Sequence, residues 1–313
     1  MAQHQRIICL GEAMGELAFP AGQPPRIGIG GDTFNTAVYL ARLGVPVGFA
    51  SCIGDDPVGA MIAAALTRHG VSDRLLRQTS GTTGLYAIAT DAKGERRFSY
   101  WRDTSAARRA FDMAPQDWLD GLIGGECLYL SGISLWVFLP HIEPLLKLLQ
   151  AARENGCLVL FDGNFRPRLW QGQETRAKEL FARVLALTDI AFPTFDDEVA
   201  LWGDATPAAT GARMLAAGVG RVVLKRGADA CLIFDAGGVL AVPVPEPVQP
   251  VDTTAAGDSF NAGFIAAILA RPDDAAAAAL QGHRLAAQVI RHPGAILPPD
   301  VALHVSAAQD AAP

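Results

Sequence analysis

From about residue 126 onward, short apolar runs bounded by turn residues alternate with longer stretches of helical pattern. The runs Cys127–Leu130, Leu158–Asp162, Asp189–Phe192, Arg221–Lys225 and Cys231–Phe234 predict strands. The stretches Pro140–Asn155, Glu174–Leu187, Pro207–Ala217, Ser259–Ala270 and Asp274–Ile290 predict helices. Strands alternating with helices imply a parallel sheet, because a parallel strand needs a crossover to return, and the crossover helices cover both faces. The first hundred residues read differently. Strands are predicted at Arg6–Leu10 and Val47–Ile53, and helices at Phe34–Leu43 and Val58–His69. Leu85–Thr90 and Arg96–Trp101 flank a turn sequence at 91–94, which predicts an antiparallel hairpin. With the Pro/Gly-rich stretch Ala21–Gly31 ahead of a helix, this half reads as a small β-layer attached to an α/β core.

Half of the 313 residues are hydrophobic and only 19% are charged, so the chain has the apolar content for a large core and lacks the signature of disorder. The length allows two domains or one large α/β unit. Mean hydropathy is slightly positive, at +0.22. Yet the most apolar window, Ala262 to Ala270, stops at Arg271-Pro272, far short of the roughly 20 residues a spanning helix needs. Met1–Phe19 lacks the apolar core of a secretory signal, since Ile7–Leu10 is short and Glu12 and Glu16 follow. Five scattered cysteines without a CxxC pair argue against a zinc ribbon or a redox pair and point to a reducing, cytoplasmic setting. A net charge of −6 argues against a nucleic-acid partner. An anionic ligand would need a local cluster of arginine or lysine.

Several catalytic signatures are missing. There is no GxxxxGK[ST] phosphate loop, no HRD or DFG set, no GxGxxG, no GxSxG elbow and no HExxH. What stands out is the run from Val251 to Phe264, with Asp252-Thr253-Thr254-Ala255-Ala256-Gly257-Asp258 leading into an apolar helix. Small side chains ahead of a helix let a ligand approach the unpaired N–H groups of the first turn, where the helix dipole adds partial positive charge. Such a turn is an anion hole. A carboxylate there would repel phosphate, which makes sense if Asp258 is a base that takes a proton from a hydroxyl while the amides hold the transferring phosphoryl group. An Asp in an ordinary capped helix is the plainer explanation of AAGD alone. The longer run, with Asp252 and Asn261-Ala262-Gly263-Phe264, is more specific.

This run resembles the DTxGAGDxFxxG signature of the ribokinase-like (PfkB) sugar kinases, with Ala255 in place of the first glycine of GAGD. Gly30-Gly31-Asp32-Thr33-Phe34-Asn35-Thr36-Ala37 is similar to the family's GGxxxNxA signature. Lys225-Arg226-Gly227-Ala228-Asp229-Ala230 is similar to its KxGxxG nucleotide loop, with Ala230 for the last glycine. Pro193-Thr194-Phe195-Asp196-Asp197 stands where the family has PNxxE, with Thr194 for the asparagine and Asp197 for the glutamate. The signatures fall in the family's order and span nearly the whole chain. Gly84-Leu85-Tyr86, Tyr100-Trp101-Arg102, Tyr129–Ser134 and Phe161–Trp170 further resemble the branch that acts on the keto-sugar acid 2-dehydro-3-deoxygluconate.

The resemblance implies one ribokinase-like domain over 1–313. It is a three-layer α/β sandwich with a mostly parallel sheet, helices on both faces and a small β-sheet lid formed by roughly 12–33 and 84–104. It implies ATP and Mg2+ as cofactors, with a monovalent cation such as K+ as a further candidate near Asp252. The reaction expected is phosphorylation of the sugar acid's terminal 6-hydroxyl. Asp258 serves as base, and the amides of Ala255, Ala256, Gly257 and Asp258 form the anion hole. Gly30, Gly31, Asp32, Asn35, Tyr86, Tyr100, Arg102 and Arg166 are the expected substrate residues. Asn164, Arg166, Thr194, Lys225, Gly227, Ala255 and Gly257 are expected at the nucleotide. Asp197 and Glu198 are expected to hold the magnesium through water.

Physical chemistry bears on the substrate. A sugar acid demands a partner for its carboxylate, and a guanidinium fork suits one. Arg102 closes a predicted strand of the β-layer, and Arg166 follows a core strand at its carboxyl end, where α/β sheets place ligands. Glu16 reads as exposed, Arg168 and His283 as structural, and Trp101, Trp136, Trp170 and Trp202 as packing residues. A fructokinase or ribokinase of the same family is one alternative, and a non-catalytic sugar-binding regulator on a kinase scaffold is another. Exposed edges on the β-layer give a motive for a dimer through the lid.

Overall fold

The computed structural model describes residues 5–22, 24–90 and 96–303. Its strands in chain order are β1 (Ile7–Leu10), β2 (Met14–Phe19), β3 (Arg26–Gly30), β4 (Val47–Gly54), β5 (Leu76–Thr79), β6 (Leu85–Thr90) and β7 (Arg96–Trp101). They continue as β8 (Cys127–Ser131), β9 (Leu158–Asp162), β10 (Ile190–Ala191), β11 (Arg221–Leu224), β12 (Cys231–Asp235) and β13 (Gly238–Val242).

Nine strands form one sheet in the order β13-β12-β11-β10-β9-β8-β1-β4-β5. Pairing is parallel from β5 across to β11 and antiparallel only at β12 and β13. Its central strands are buried on both faces, as sandwiched parallel strands are. Alternate side chains of β1 enter opposite cores. Ile8 and Leu10 join Leu145, Leu149, Phe181 and Met214, from the helices Ile142–Glu154, Glu174–Leu185 and Pro207–Ala216. Ile7 and Cys9 join Phe34, Ile62, Phe264 and Leu285, from Asp32–Arg42, Pro57–Arg68, Ala256–Ala270 and Ala275–Val289. Each fully buried large aliphatic or aromatic side chain contributes about 1.5–3 kcal/mol. The layers are those of the expected three-layer sandwich.

The remaining four strands form a separate sheet, β3-β2-β6-β7. β6 and β7 are antiparallel, with Leu85 opposite Trp101 and Tyr86 opposite Tyr100. The expected hairpin turn at 91–94 lies outside the described residues. β2 pairs in parallel with β6 and antiparallel with β3. β3, with sequence Arg-Ile-Gly-Ile-Gly, lies in the stretch read from sequence as a Pro/Gly-rich loop. Glycine is a poor strand residue in isolation, and pairing along β2 supplies the order. β2, β5 and β13 were likewise not predicted, nor were the helices Gln116–Ile123, Gly132–Val137 and Phe195–Trp202. Most are short, and β13 is exposed over most of its length, so neither period is sustained long enough to read.

Candidate active site

The parallel strands point their carboxyl ends to one edge of the large sheet. From β1 the chain builds outward through β4 and β5, then returns to the other side of β1 with β8, β9, β10 and β11. The β1/β8 boundary is therefore the switch point, where open α/β sheets hold ligands. Glu12 follows β1, Ser131 closes β8, Asp162 closes β9 and Lys225 follows β11. The N-terminus of the helix Ala256–Ala270 reaches the same edge, since Lys225 Nζ and Asp162 both bond to its Asn261.

The turn into that helix is set by Asp252. Its Oδ1 accepts from the Thr254 N–H at 2.9 Å and the Thr254 hydroxyl at 2.7 Å, and its Oδ2 accepts from the Gly294 N–H at 2.9 Å. Ala255 then takes φ of 61° at the N-cap, a left-handed conformation that favours glycine. The family's glycine at this position thus has a backbone reason. Among the described residues the N–H groups of Ala255, Gly257 and Asp258 have no acceptor. The fourth expected donor differs: the Ala256 N–H closes a turn onto the Thr253 carbonyl at 3.2 Å.

Asp258 sits in the first turn of this helix with an edge still open to solvent. Asn35 donates its side-chain amide to Asp258 Oδ2 at 2.8 Å. Asn164 donates to Asp32 Oδ2 at 2.7 Å, from a backbone at φ 33°. Burial pushes the Asp258 carboxyl well above the usual carboxylate range, and the charges of Asp32 and Asp162 add to this; the Asn35 bond and the Lys225 ammonium oppose it. Two glycines make room. A Cβ on Gly31 would lie 2.3 Å from the Glu12 carbonyl oxygen, and one on Gly30 would lie 2.1 Å from the Tyr86 hydroxyl.

Tyr86 donates its hydroxyl to Glu16, so Glu16 is half-buried and engaged rather than exposed as expected. Tyr100 stacks on Tyr86 with ring centroids 6.1 Å apart. Arg102 is 4% exposed, ion-paired with Glu12, and lies 5.2 Å above the Trp136 ring. Glu12 also accepts from Ser105. Trp136 therefore does more than pack, since Arg108 covers it as well, at 4.3 Å. Tyr100, Arg102, Ile133, Arg166 and Arg168 line one cavity of about 660 Å³. Arg168, read from sequence as structural, thus lies on its wall.

Arg166 is exposed, and its Nη1 is 3.6 Å from Asp197 Oδ2. Burial raises the Asp197 carboxyl to about 6 against the pull of Arg166. Glu198 lies on the other side of the same helix turn, 1% exposed, with Oε2 2.7 Å from Arg213. Its Oε1 has no hydrogen-bond partner. Asp197 is thus the accessible member of the expected magnesium pair. Among the described residues no group of three or more His, Cys, Asp or Glu is placed to hold a metal ion. A single reachable carboxylate fits an ion carried on phosphates and waters. Thr194 caps the helix Phe195–Trp202 without a side-chain bond and bridges to Lys225 through the backbone. Gly227 takes φ of 60° in the turn before β12, with open space about it. Glu12, Asp162, Ser105 and Asn261 were not singled out for roles in the sequence. Glu12, Asp162 and Asn261 are polar residues within apolar or small-residue runs, which is the one signal that would have marked them; Ser105, after Arg102-Asp103-Thr104, carries no such signal.

The pfkB family carbohydrate kinase pattern matches residues 4–302. The chain belongs to the pfkB family of carbohydrate kinases. It is 42% identical over 305 residues to the 2-dehydro-3-deoxygluconokinase of Dickeya dadantii, covering 94% of this chain and 97% of that one. It is 43% identical over 304 residues to that of Escherichia coli strain K12, with the same coverage. Among solved structures, a ribokinase-like protein of Escherichia coli in complex with ATP and Mg2+ superposes with a TM-score of 0.79 at 26% identity, covering 93% of this chain and 94% of that one. Among the described residues, no helix of this pfkB protein is long and apolar enough to cross a membrane.

Proposed function

We propose that this pfkB kinase transfers the terminal phosphoryl group of ATP to the 6-hydroxyl of 2-dehydro-3-deoxygluconate. The observation that carries the substrate class is the cavity in which Tyr100, Arg102 and Arg166 converge. Arg102 is committed to Glu12, so Arg166 supplies the open guanidinium; a neutral hexose has no use for it, whereas a sugar carboxylate does. The relatives at 42–43% identity bear the matching name.

Asp258 accepts the hydroxyl proton, and Asn35 fixes its carboxylate by bonding Oδ2. Asp32 meets sugar hydroxyls, and Asn164, bonded to it, meets phosphate. The free amides of Ala255, Gly257 and Asp258 stabilise the charge on the transferring group, with the helix dipole behind them. Mg2+, when bound with ATP, neutralises phosphate charge; Asp197 would hold it through water. Thr194 and Gly227 belong to the nucleotide side of the same edge, whereas the Lys225 ammonium, expected at the nucleotide, is buried against Asp162 and Asn261. The small sheet acts as the lid that keeps water from the reaction. Phe19, Ile27 and Trp101 are exposed on the small sheet, and two copies pair through it.

A coupled ADP-release assay with 2-dehydro-3-deoxygluconate, fructose and ribose tests the reading. Turnover selective for the keto acid supports it. Preferential turnover of fructose or ribose, or tight binding of the acid with no transfer, overturns it. Light scattering reads the dimer.

A further inference from the structure

Beneath the anion-binding turn lies a polar cluster that the transfer step does not itself require. Lys225 Nζ is buried and donates to Asp162 Oδ1 and to Asn261 Oδ1, both at 3.1 Å. Asn261 returns its amide to Asp162 Oδ2 at 2.9 Å and to the Tyr129 hydroxyl at 3.0 Å. The Thr36 hydroxyl donates to the Asp32 carbonyl at 3.1 Å and stands 3.4 Å from both the Tyr129 hydroxyl and the Asp258 carbonyl. The carboxylate of Asp162 and the amide of Asn261 are satisfied at every atom. Such a closed buried network specifies one geometry, and it loses that geometry when one member is removed. It joins the middle of β8 and the ends of β9 and β11 to the helix that carries Asp258. A Cβ built on Gly257 would lie 3.5 Å from Lys225 Nζ, so the ammonium stands directly against the turn.

We propose that Lys225 is a positioning residue: by bridging Asp162 and Asn261 it holds the helix Ala256–Ala270 against β9 and balances the negative charge around Asp258. This deepens the kinase reading and rests on it. The charged and titratable groups around Asp258 are Asp32 on the helix Asp32–Arg42, Asp162 at the end of β9 and Lys225 after β11. Tyr39, Tyr86 and Tyr129 approach from their own elements. Lys225 is the one cation of this set. Its removal leaves Asp162 facing Asp258 without compensation. Removal of the Asp162 charge does the opposite.

Two readouts test this. The first needs no activity: the Asp258 carboxyl is titrated by carbon NMR in wild type, Lys225→Met, Asp162→Asn and the double variant. The midpoint is expected to rise in Lys225→Met, fall in Asp162→Asn and lie between in the double variant. The second uses whichever sugar the wild type phosphorylates. Lys225→Met is expected to lower kcat by about ten- to a hundredfold, with KM for ATP changed less than about threefold, and the double variant to recover part of the loss. An unmoved Asp258 midpoint in both single variants overturns the proposal, as does a loss expressed in KM for ATP alone. If Lys225→Met does not fold, Asp162→Asn gives the same decision with opposite sign. A wild type inactive on every sugar refutes the kinase reading, while the titration still decides the role of Lys225.

Discussion

Asn35 and Asp258, in opposite halves of the sequence, meet through a 2.8 Å bond from the asparagine amide to the aspartate Oδ2. The two family signatures thus close on each other at one carboxylate. An acceptor fixed in this way keeps its other oxygen for a substrate proton. Replacing Asp258 by Asn is expected to lower phosphoryl transfer by about 10²–10⁴-fold while leaving sugar binding intact. ADP release beside calorimetric binding checks it. A variant that retains more than a tenth of wild-type turnover excludes Asp258 as the base.

The same substitution carries a pH signature. The folded-state carboxyl of Asp258 titrates higher than its unfolded value of 3.8, at about 8. A raised folded value means that the folded state binds more protons through this window. Stability from this group is full below about pH 4 and declines as pH rises toward 8. Asp258→Asn removes that decline. The melting-temperature difference between variant and wild type is expected to grow from pH 5 to pH 8, and a difference independent of pH contradicts the assignment.

Ala255 pays a backbone cost at φ 61° that glycine would not. Ala255→Gly is expected to stabilise the chain by about 0.5–1 kcal/mol, net of the greater freedom of glycine when unfolded. That corresponds to a rise in melting temperature of about 1–3 °C. Turnover should stay within about twofold, because the amide keeps its position. A fall in melting temperature would show that the alanine methyl packs usefully.

Arg102 and Arg166 line one cavity yet differ in what they hold up. Arg166→Ala removes an exposed guanidinium, so KM for the keto acid should rise about ten- to a hundredfold with little change in melting temperature. Arg102→Ala leaves Glu12 buried without its ion partner, a loss of about 3–5 kcal/mol. Denaturant midpoints and kinetics on acid and neutral sugars separate the two. Equal losses on both substrates for Arg166→Ala would remove it from the carboxylate site.

Glu198 depends on Arg213 in a similar way. Burial raises its carboxyl to about 7 even with Arg213 attached. The stability this group supplies is present below about pH 4.5 and lost as pH passes 7, because its folded-state value is the higher one. Without Arg213 the folded value climbs further. Arg213→Ala is therefore expected to cost about 3–5 kcal/mol at pH 8 and clearly less at pH 5, where Glu198 takes up a proton. Urea midpoints at the two pH values check this, and equal losses would refute it.

The alternation of apolar runs with helical stretches is enough to predict seven strands of the large sheet, β1, β4 and β8 to β12, and the main helices of both layers, since period and order are local properties of a chain. The signatures around Gly31, Lys225 and Asp258 were legible for the same reason: each is a short contiguous run. β3 was not, because a Gly-rich strand gains its order only from β2. The engagement of Arg102 by Glu12, of Glu198 by Arg213, and of Lys225 by Asp162 and Asn261 was equally hidden. Sequence names the charged groups; which are drawn into ion pairs and which stay open to a ligand depends on burial and on partners distant in the chain. Only the folded edge of the sheet brings those partners within hydrogen-bond reach.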